Sequence, residues 1–270
     1  MSEIQKKYKI GVRRFGFINW IGAYNLYVKE VYRFFNVWVQ TLFSPLISSL
    51  LFLSVLSLAI GNERGDVLGY PFISFLAPGL IAMSIIQQSF SHSSSSFMIG
   101  KIQGNIIDTL LAPLSAAEVT LAITLAAVTR SIIITIISIL VFSLIIELHI
   151  YSILYIFIFA FLGSFILGSL GIIAGLWAEK FDHMATVTNF IITPLSFLSG
   201  VFYSVDRLPG FFKLISQINP FFYMIDGFRF GFLGMSDGSI NFGLIYLSIL
   251  SIIMWLISYY LFKIGYKIKT

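Results

Sequence analysis

The chain has 270 residues, of which 58% are hydrophobic, 17% aromatic and only 11% charged, with a formal net charge of +5. Soluble domains carry roughly 25% charged residues, so this composition places the chain in lipid and leaves no room for a soluble catalytic domain. The absence of cysteine excludes disulfides, thiolate metal sites and cysteine nucleophiles, and three scattered histidines (His92, His149 and His183) do not make a metal cluster.

A membrane-crossing helix needs roughly 20 apolar residues, so the length predicts an all-α polytopic fold of about six transmembrane helices. Residues 1–36 read as a cytoplasmic N-terminal segment that ends in an interfacial helix. That helix covers Ile18 to Asn36, INWIGAYNLYVKEVYRFFN, where Lys29, Glu30 and Arg33 can share one face of an aromatic-rich stretch. The competing reading is a simple extension of the first span.

Apolar runs place the spans at about Val37 to Leu58, Phe72 to Ser91, Val119 to Ile146, Ser152 to Trp177, Ala185 to Tyr203 and Phe242 to Phe262. Residues 37–262 form one transmembrane domain, and 263–270 a basic tail. The first span is too long and starts too late for a cleavable signal peptide.

Lys6, Lys7, Lys9, Arg13, Arg14, Lys29, Arg33, Lys101, Lys180, Lys263, Lys267 and Lys269 all fall on one side of this arrangement. The other side holds Arg64, Arg207, Lys213 and Arg229, offset by acids. Basic loops face the cytoplasm, so both termini are expected there. The basic ends are better explained as topology signals and anionic-lipid contacts than as nucleic-acid sites.

Between spans two and three, Ile102, Ile106, Ile107, Leu110 and Leu111 recur at helical spacing, with Lys101, Asn105 and Asp108 on much of the other side and Pro113 as a stop. This predicts one short amphipathic helix at about 98–112. Its apolar stripe suits either a partner's groove or the lipid headgroup layer. No G-x-x-x-x-G-K-[ST] phosphate-binding loop occurs in the chain, so any ATPase driving transport is another polypeptide.

After span five, Pro194, Pro209 and Pro220 and several charges interrupt the run from Thr193 to Gly234. Proline breaks helices, and bare backbone at membrane depth needs cover from protein or a water-filled cavity. The stretch therefore predicts an early end to the span and a re-entrant outer hairpin of two short helices at about 206–234. Asp226 and Arg229, three apart, can pair along one helix face.

Some residues carry two readings. Arg130 sits midway along span three, where a charge faces a cavity or a partner or else snorkels to an interface. No acid inside the membrane is an obvious mate, which leaves a lipid or substrate phosphate open. Gln87, Gln88, Ser89, Ser91 and His92 either line an inward vestibule or bond between helices, and the second is favoured. Gly171 and Gly175 mark close helix packing. Glu179, Asp182 and His183 form a solvated turn rather than a metal or acid–base site, so neither a catalytic nor a metal centre is expected.

Four segments then carry a resemblance: FLAPGLIAMSII (Phe75 to Ile86), SSFMIGKIQGNIIDTLLAPLSAAE (Ser95 to Glu118), TPLSFLSGVFYSVDRLPGF from Thr193, and NPFFYMIDGFRFGFLG ending at Gly234. In order and depth they resemble the ABC-2-type permeases, membrane subunits of ABC exporters, and in particular the YadH-like branch. The resemblance runs from about Val28 to Phe262. It implies a multi-pass subunit of the bacterial cytoplasmic (inner) membrane, related to drug, lipid and polysaccharide exporters.

It also implies that Lys101 to Leu111 is a coupling helix seated on a separate ATP-binding cassette subunit, present in two copies, which binds ATP and Mg so that this chain needs no cofactor. Ile18 to Asn36 would be a connecting helix. Asn219, Pro220, Tyr223, Asp226 and Arg229 would belong to the outer hairpin or gate, with Arg130, Ser196 and Ser199 as candidate pathway residues. A second permease copy, giving a homodimer, would face the first around the pathway, with spans one and five near the interface. Gln103-Gly104 departs from relatives that carry charged residues there.

The function expected is ATP-driven export of an amphipathic, lipid-linked or polysaccharide-type substrate. An ion-coupled secondary transporter is the alternative, disfavoured because every acid lies at a span end or in a loop. A lipid-modifying membrane enzyme is a third reading, with only the Glu179 to His183 loop to support it.

Overall fold

The computed structural model describes residues 18–60 and 65–268. Lys6, Lys7, Lys9, Arg13, Arg14, Glu63, Arg64 and Lys269 fall outside that range. The described residues are helical with no named strand, and five helices are long and apolar enough to cross a bilayer.

Helix α1, Trp20–Phe35, starts on Asn19, whose side chain accepts from the Gly22 backbone N–H at 3.0 Å. It ends before Asn36, so the expected interfacial helix is an element of its own. A π turn, Val39–Phe43, then runs into α2, Ser44–Ile60, the first span. Helix α3, Phe72–Ile102, continues well past the expected end at Ser91. Its polar run does not leave the bundle, because Ser89, His92, Ser93 and Ser94 are buried against neighbouring helices.

The amphipathic helix expected as one piece at about 98–112 is two pieces. Helix α3 ends at Ile102, and α4 covers only Ile106–Leu111. Between them Gly104 has a φ of +77°, a left-handed conformation that terminates helices and that only glycine adopts without strain. Apolar spacing continues across the break, which is why periodicity alone joins the two.

Helix α5, Ala116–Ser143, opens on a capping box in which the Ser115 side chain and the Glu118 side chain each take the other's backbone N–H. Helix α6 is Ile153–Trp177. The fifth expected span, Ala185 to Tyr203, is instead a helical run from Phe181 to Leu198. It comprises α7, Phe181–Val187, a π turn, Thr188–Ile192, and α8, Thr193–Leu198, and it is not among the five long apolar helices. A 3₁₀ turn, Val205–Arg207, leads to the short pair α9, Gly210–Ile218, and α10, Pro220–Leu233. Helix α11, Ile240–Lys263, closes the bundle.

Helix α6 is the hub, packing on α3, α5, α10 and α11, with its largest contact on α3. Glycines allow that approach. A Cβ on Gly171 would stand 2.6 Å from the Phe90 carbonyl oxygen, and one on Gly175 2.9 Å from that of Ser94. Helices α2 and α11 lie outermost, with only 17% of their apolar stretches buried, against 72% for α3.

The two ends of the bundle differ. At one, Lys101 Nζ donates to the Leu176 and Ala178 carbonyls at 2.8 and 2.5 Å, and Lys267 Nζ donates to Glu179 Oε1 at 2.9 Å. Each partner of that exposed pair favours the other's charged form. Hydrogen bonding to Lys267 holds the Glu179 carboxyl below its usual range, and Glu179 raises the Lys267 ammonium. At the other end the Tyr70 hydroxyl donates to the Leu233 carbonyl, and the Tyr151 and Ser152 backbone N–H groups donate to Phe232 and Gly231. The α3–α4 loop and the α9–α10 pair therefore sit at opposite ends.

Candidate functional site

The loop end is organised around one carboxylate. Glu118 Oε1 accepts from the Asn19 backbone N–H at 2.5 Å, and Oε2 accepts from that of Ser115 at 2.6 Å. Asn19 Nδ2 donates onward to the Pro113 carbonyl at 3.0 Å. Glu118 thus ties the start of α1 to the start of α5, beside α4. A cleft of about 560 Å³ opens between α1 and α4, with Asn25, Lys29, Asp108 and Thr109 in its lining.

The apolar stripe on this loop divides in two. Ile106 packs against the small core cluster of Leu26, Phe97 and Ile123. Ile102, Ile107, Leu110 and Leu111 are exposed, Leu111 at 79%. Asn105 Nδ2 bonds only locally to Gln103 Oε1. Lys101 turns away from the loop surface and satisfies the last carbonyls of α6, the favourable place for a cation at a helix C-terminus.

A second assembly lies where α1, α3 and α5 meet. Glu30, taken in the sequence as part of a polar interfacial face, is only 3% exposed. It accepts from Arg33 Nε at 2.8 Å and stands 3.9 Å from His92 Nε2. Arg33 also donates to the His92 carbonyl at 2.8 Å and to Ser95 Oγ at 3.2 Å. The polar face of α1 is therefore turned onto α3. Arg130 from α5 donates to Gln88 Oε1, and Ser89 Oγ meets Ser131 Oγ at 2.6 Å. Of the polar end of span two, Gln88, Ser89 and His92 bond between helices, whereas Ser91 is exposed and Gln87 faces a cleft. Arg130 is buried rather than snorkelling.

The opposite end gathers three of the four resemblance segments. Arg229, 1% exposed, donates to the Gly200 carbonyl at 2.6 Å and stacks 3.8 Å above the Phe75 ring. Phe75 and Gly79 come from the first segment, and Gly79 leaves no room for a Cβ beside the Val201 carbonyl. The expected Asp226–Arg229 pair does not form. Asp226 instead accepts the Asp237 and Gly238 backbone N–H groups, both at 2.9 Å. Backbone groups freed by the turns after α8 and after α10 claim both charges first.

Asn219 caps α10 through the Phe221 N–H, with Pro220 at the first helical position, and Nδ2 reaches the Leu195 carbonyl and Ser199 Oγ at 2.9 and 2.7 Å. Tyr223 packs against Phe242 and Tyr246. Ser196 and Ser199, expected along the pathway, are buried and turned back on the Ile192 and Leu195 carbonyls at 2.7 and 2.6 Å. Such back-bonding satisfies a hydroxyl at membrane depth.

Sequence reasoning missed Glu118 and the Glu30–Arg33–His92 group. The Ser115-x-x-Glu118 spacing is a recognisable capping signature, whereas nothing local announces that Glu30 meets His92. Asp237 was missed too. It ties the 3₁₀ turn down through Ser204 Oγ and the Val205 N–H, at 2.6 and 2.8 Å. Among the described residues no group of three His, Cys, Asp or Glu side chains could hold a metal ion.

A helical bundle with an exposed apolar loop at one end and a buried-charge hairpin at the other defines a polytopic membrane protein. Residues 23–233 match the family model for the ABC-2 type transporter, and the chain belongs to that family. It is 32% identical to the inner membrane transport permease YadH of Escherichia coli (strain K12) over 81% of this chain and 85% of that protein. It is also similar to nodulation protein J, at 24% identity in Rhizobium leguminosarum bv. viciae over 90% and 93% of the two chains. The Sinorhizobium fredii protein of that name is 23% identical over 68% and 71%. The chain is thus a multi-pass membrane transport permease subunit.

Proposed function

We propose that this chain is the permease half of an ATP-driven exporter that moves an amphipathic, lipid-linked or polysaccharide-type substrate out of the cytoplasm or inner leaflet. Two copies face each other in the cytoplasmic membrane of a bacterium, each carried by one of two separate ATP-binding cassette subunits that hold ATP and Mg. Both termini and the α3–α4 loop face the cytoplasm. Closure of the ATPase pair pushes α4, rocks the two permeases and opens the outer hairpin, a rigid-body mode of switching. Among the observations, the exposed Ile107, Leu110 and Leu111 on a loop pinned at both ends carries this reading furthest. An apolar face left bare beside a polar cleft suits a protein groove.

The test is co-purification. Ile107→Asp with Leu111→Asp should release the ATPase subunit in detergent while the permease stays inserted. Undiminished co-purification would refute the assignment of α4 as the coupling helix.

A further inference from the structure

Arg130 carries an unmatched charge. A guanidinium has five N–H donors, yet the hydrogen bond it makes runs to the neutral amide of Gln88, and its buried Nε has no partner. The side chain is 6% exposed, midway along a spanning helix. The carboxylate of the neighbouring cluster, Glu30, is already engaged by Arg33. Glu30 is thereby matched to Arg33, and Arg130 is left with no carboxylate of its own. A buried cation without a counter-charge is costly, and intramembrane cations mark ligand paths.

Gln88 shows where the missing anion would come from. It lines a cleft of about 170 Å³ between α2 and α3, together with Ser44, Ser48, Ser49, Ser84 and Gln87. Pro45, Phe52, Leu80 and Met83 complete the lining, and Ser49 and Ser84 bond each other. The cleft therefore presents an apolar wall for a tail beside the Gln87 and Gln88 amides for a head with acceptor oxygens. The Gln88 amide oxygen occupies a position on the guanidinium that an anionic oxygen would take with greater strength.

We propose that Arg130 binds the phosphate-type head of a membrane amphiphile admitted through the α2–α3 cleft, with Gln88 holding the place of the anion until it arrives. This deepens the exporter reading, on which it rests for taking the amphiphile as cargo, and the binding step itself needs no ATPase. The same oxyanion chemistry could be supplied by free phosphate, so the test separates the two sources.

The purified full-length permease in detergent is titrated with fluorescent dioleoyl phosphatidic acid and with dioleoylglycerol, which has the same tails and no phosphate. Wild type should prefer the phosphate-bearing lipid by roughly tenfold, the equivalent of one charge-assisted hydrogen bond. Arg130→Gln should lose most of that preference, Arg130→Lys should keep part of it, and Lys213→Gln at the opposite end should keep all of it. Inorganic phosphate at the lipid's own concentration should not displace the lipid. Retention of the preference in folded Arg130→Gln would overturn the proposal, as would displacement by inorganic phosphate. Equal binding of the two lipids by wild type would overturn it even if Arg130→Gln failed to fold. Failure of the wild-type permease to co-purify an ATPase subunit would sink the exporter reading and leave these ratios untouched.

Discussion

Removing the Glu118 carboxylate should loosen the loop end more than any other single change there. Its two oxygens take the Asn19 and Ser115 backbone N–H groups at 2.5 and 2.6 Å, and the residue is 8% exposed. Hydrogen bonds to a charged group contribute roughly 1.5–3 kcal/mol each, and loss of a cap costs about 1 kcal/mol. Allowing for partial replacement by water, Glu118→Ala should cost about 2–4 kcal/mol, and Glu118→Gln, which keeps one acceptor oxygen, about half as much. The cost is local, so hydrogen exchange is the assay. Amides at the start of α1 and α5 should exchange roughly 30- to 700-fold faster in Glu118→Ala, since each 1.4 kcal/mol is tenfold. Those of α6 should not change. Equal exchange in wild type and Glu118→Ala would show that the carboxylate does not join the two helices.

Other substitutions test the remaining parts of the molecule. Gly171→Val should prevent α3 and α6 from closing, at more than about 3 kcal/mol of overpacking, read as loss of monodisperse protein in detergent. Gly168→Ala should be milder, because its Cβ would meet side-chain atoms rather than backbone, the nearest being the Ala127 methyl at 3.2 Å. Arg229→Ala should cost about 3–5 kcal/mol, since it strands two carbonyls and empties the space above Phe75. Arg229→Lys should recover only part of this, because an ammonium cannot both stack and fork; thermal melts in detergent check both. Asp226→Asn should cost about 1–2 kcal/mol through one weakened backbone clasp, seen as faster proteolysis at residues 234–239. In pull-downs Ile106→Asp should lower permease yield, because Ile106 is partly buried against the small core cluster, while Ile107→Asp lowers only ATPase recovery.

The long apolar helices could be read from sequence because lipid demands unbroken runs of one composition. Four of the six expected spans match long helices to within a few residues, those at Val39–Ala59, Ala116–Ser143, Ile153–Trp177 and Ile240–Lys263. Where polarity rises, composition stops being a guide. The serines beyond Ser91 look like a loop but bury themselves against α1 and α6. The break at Gly104 is invisible to spacing, because it depends on the sign of one φ angle.

The α9–α10 pair was legible as two short helices from its prolines. Its charges were not, because the i,i+3 rule weighs side chains and ignores loose backbone nearby. Asp226 and Arg229 answer to carbonyls and N–H groups that no helical wheel contains. Glu30 and Arg33 form an i,i+3 pair that local spacing allows, but their meeting with His92 is a product of tertiary approach that no local pattern encodes.

Lys101 has a mechanical consequence. By bolting the far end of α3 to the last carbonyls of α6, it makes the two most closely packed helices a single lever at the end that carries α4. A load applied to α4 cannot bend α3 alone; it must be borne by the pair, and through α6 by α10 at the opposite end. A thrust of a few ångströms on one side would then arrive at the other as tilt rather than as local give.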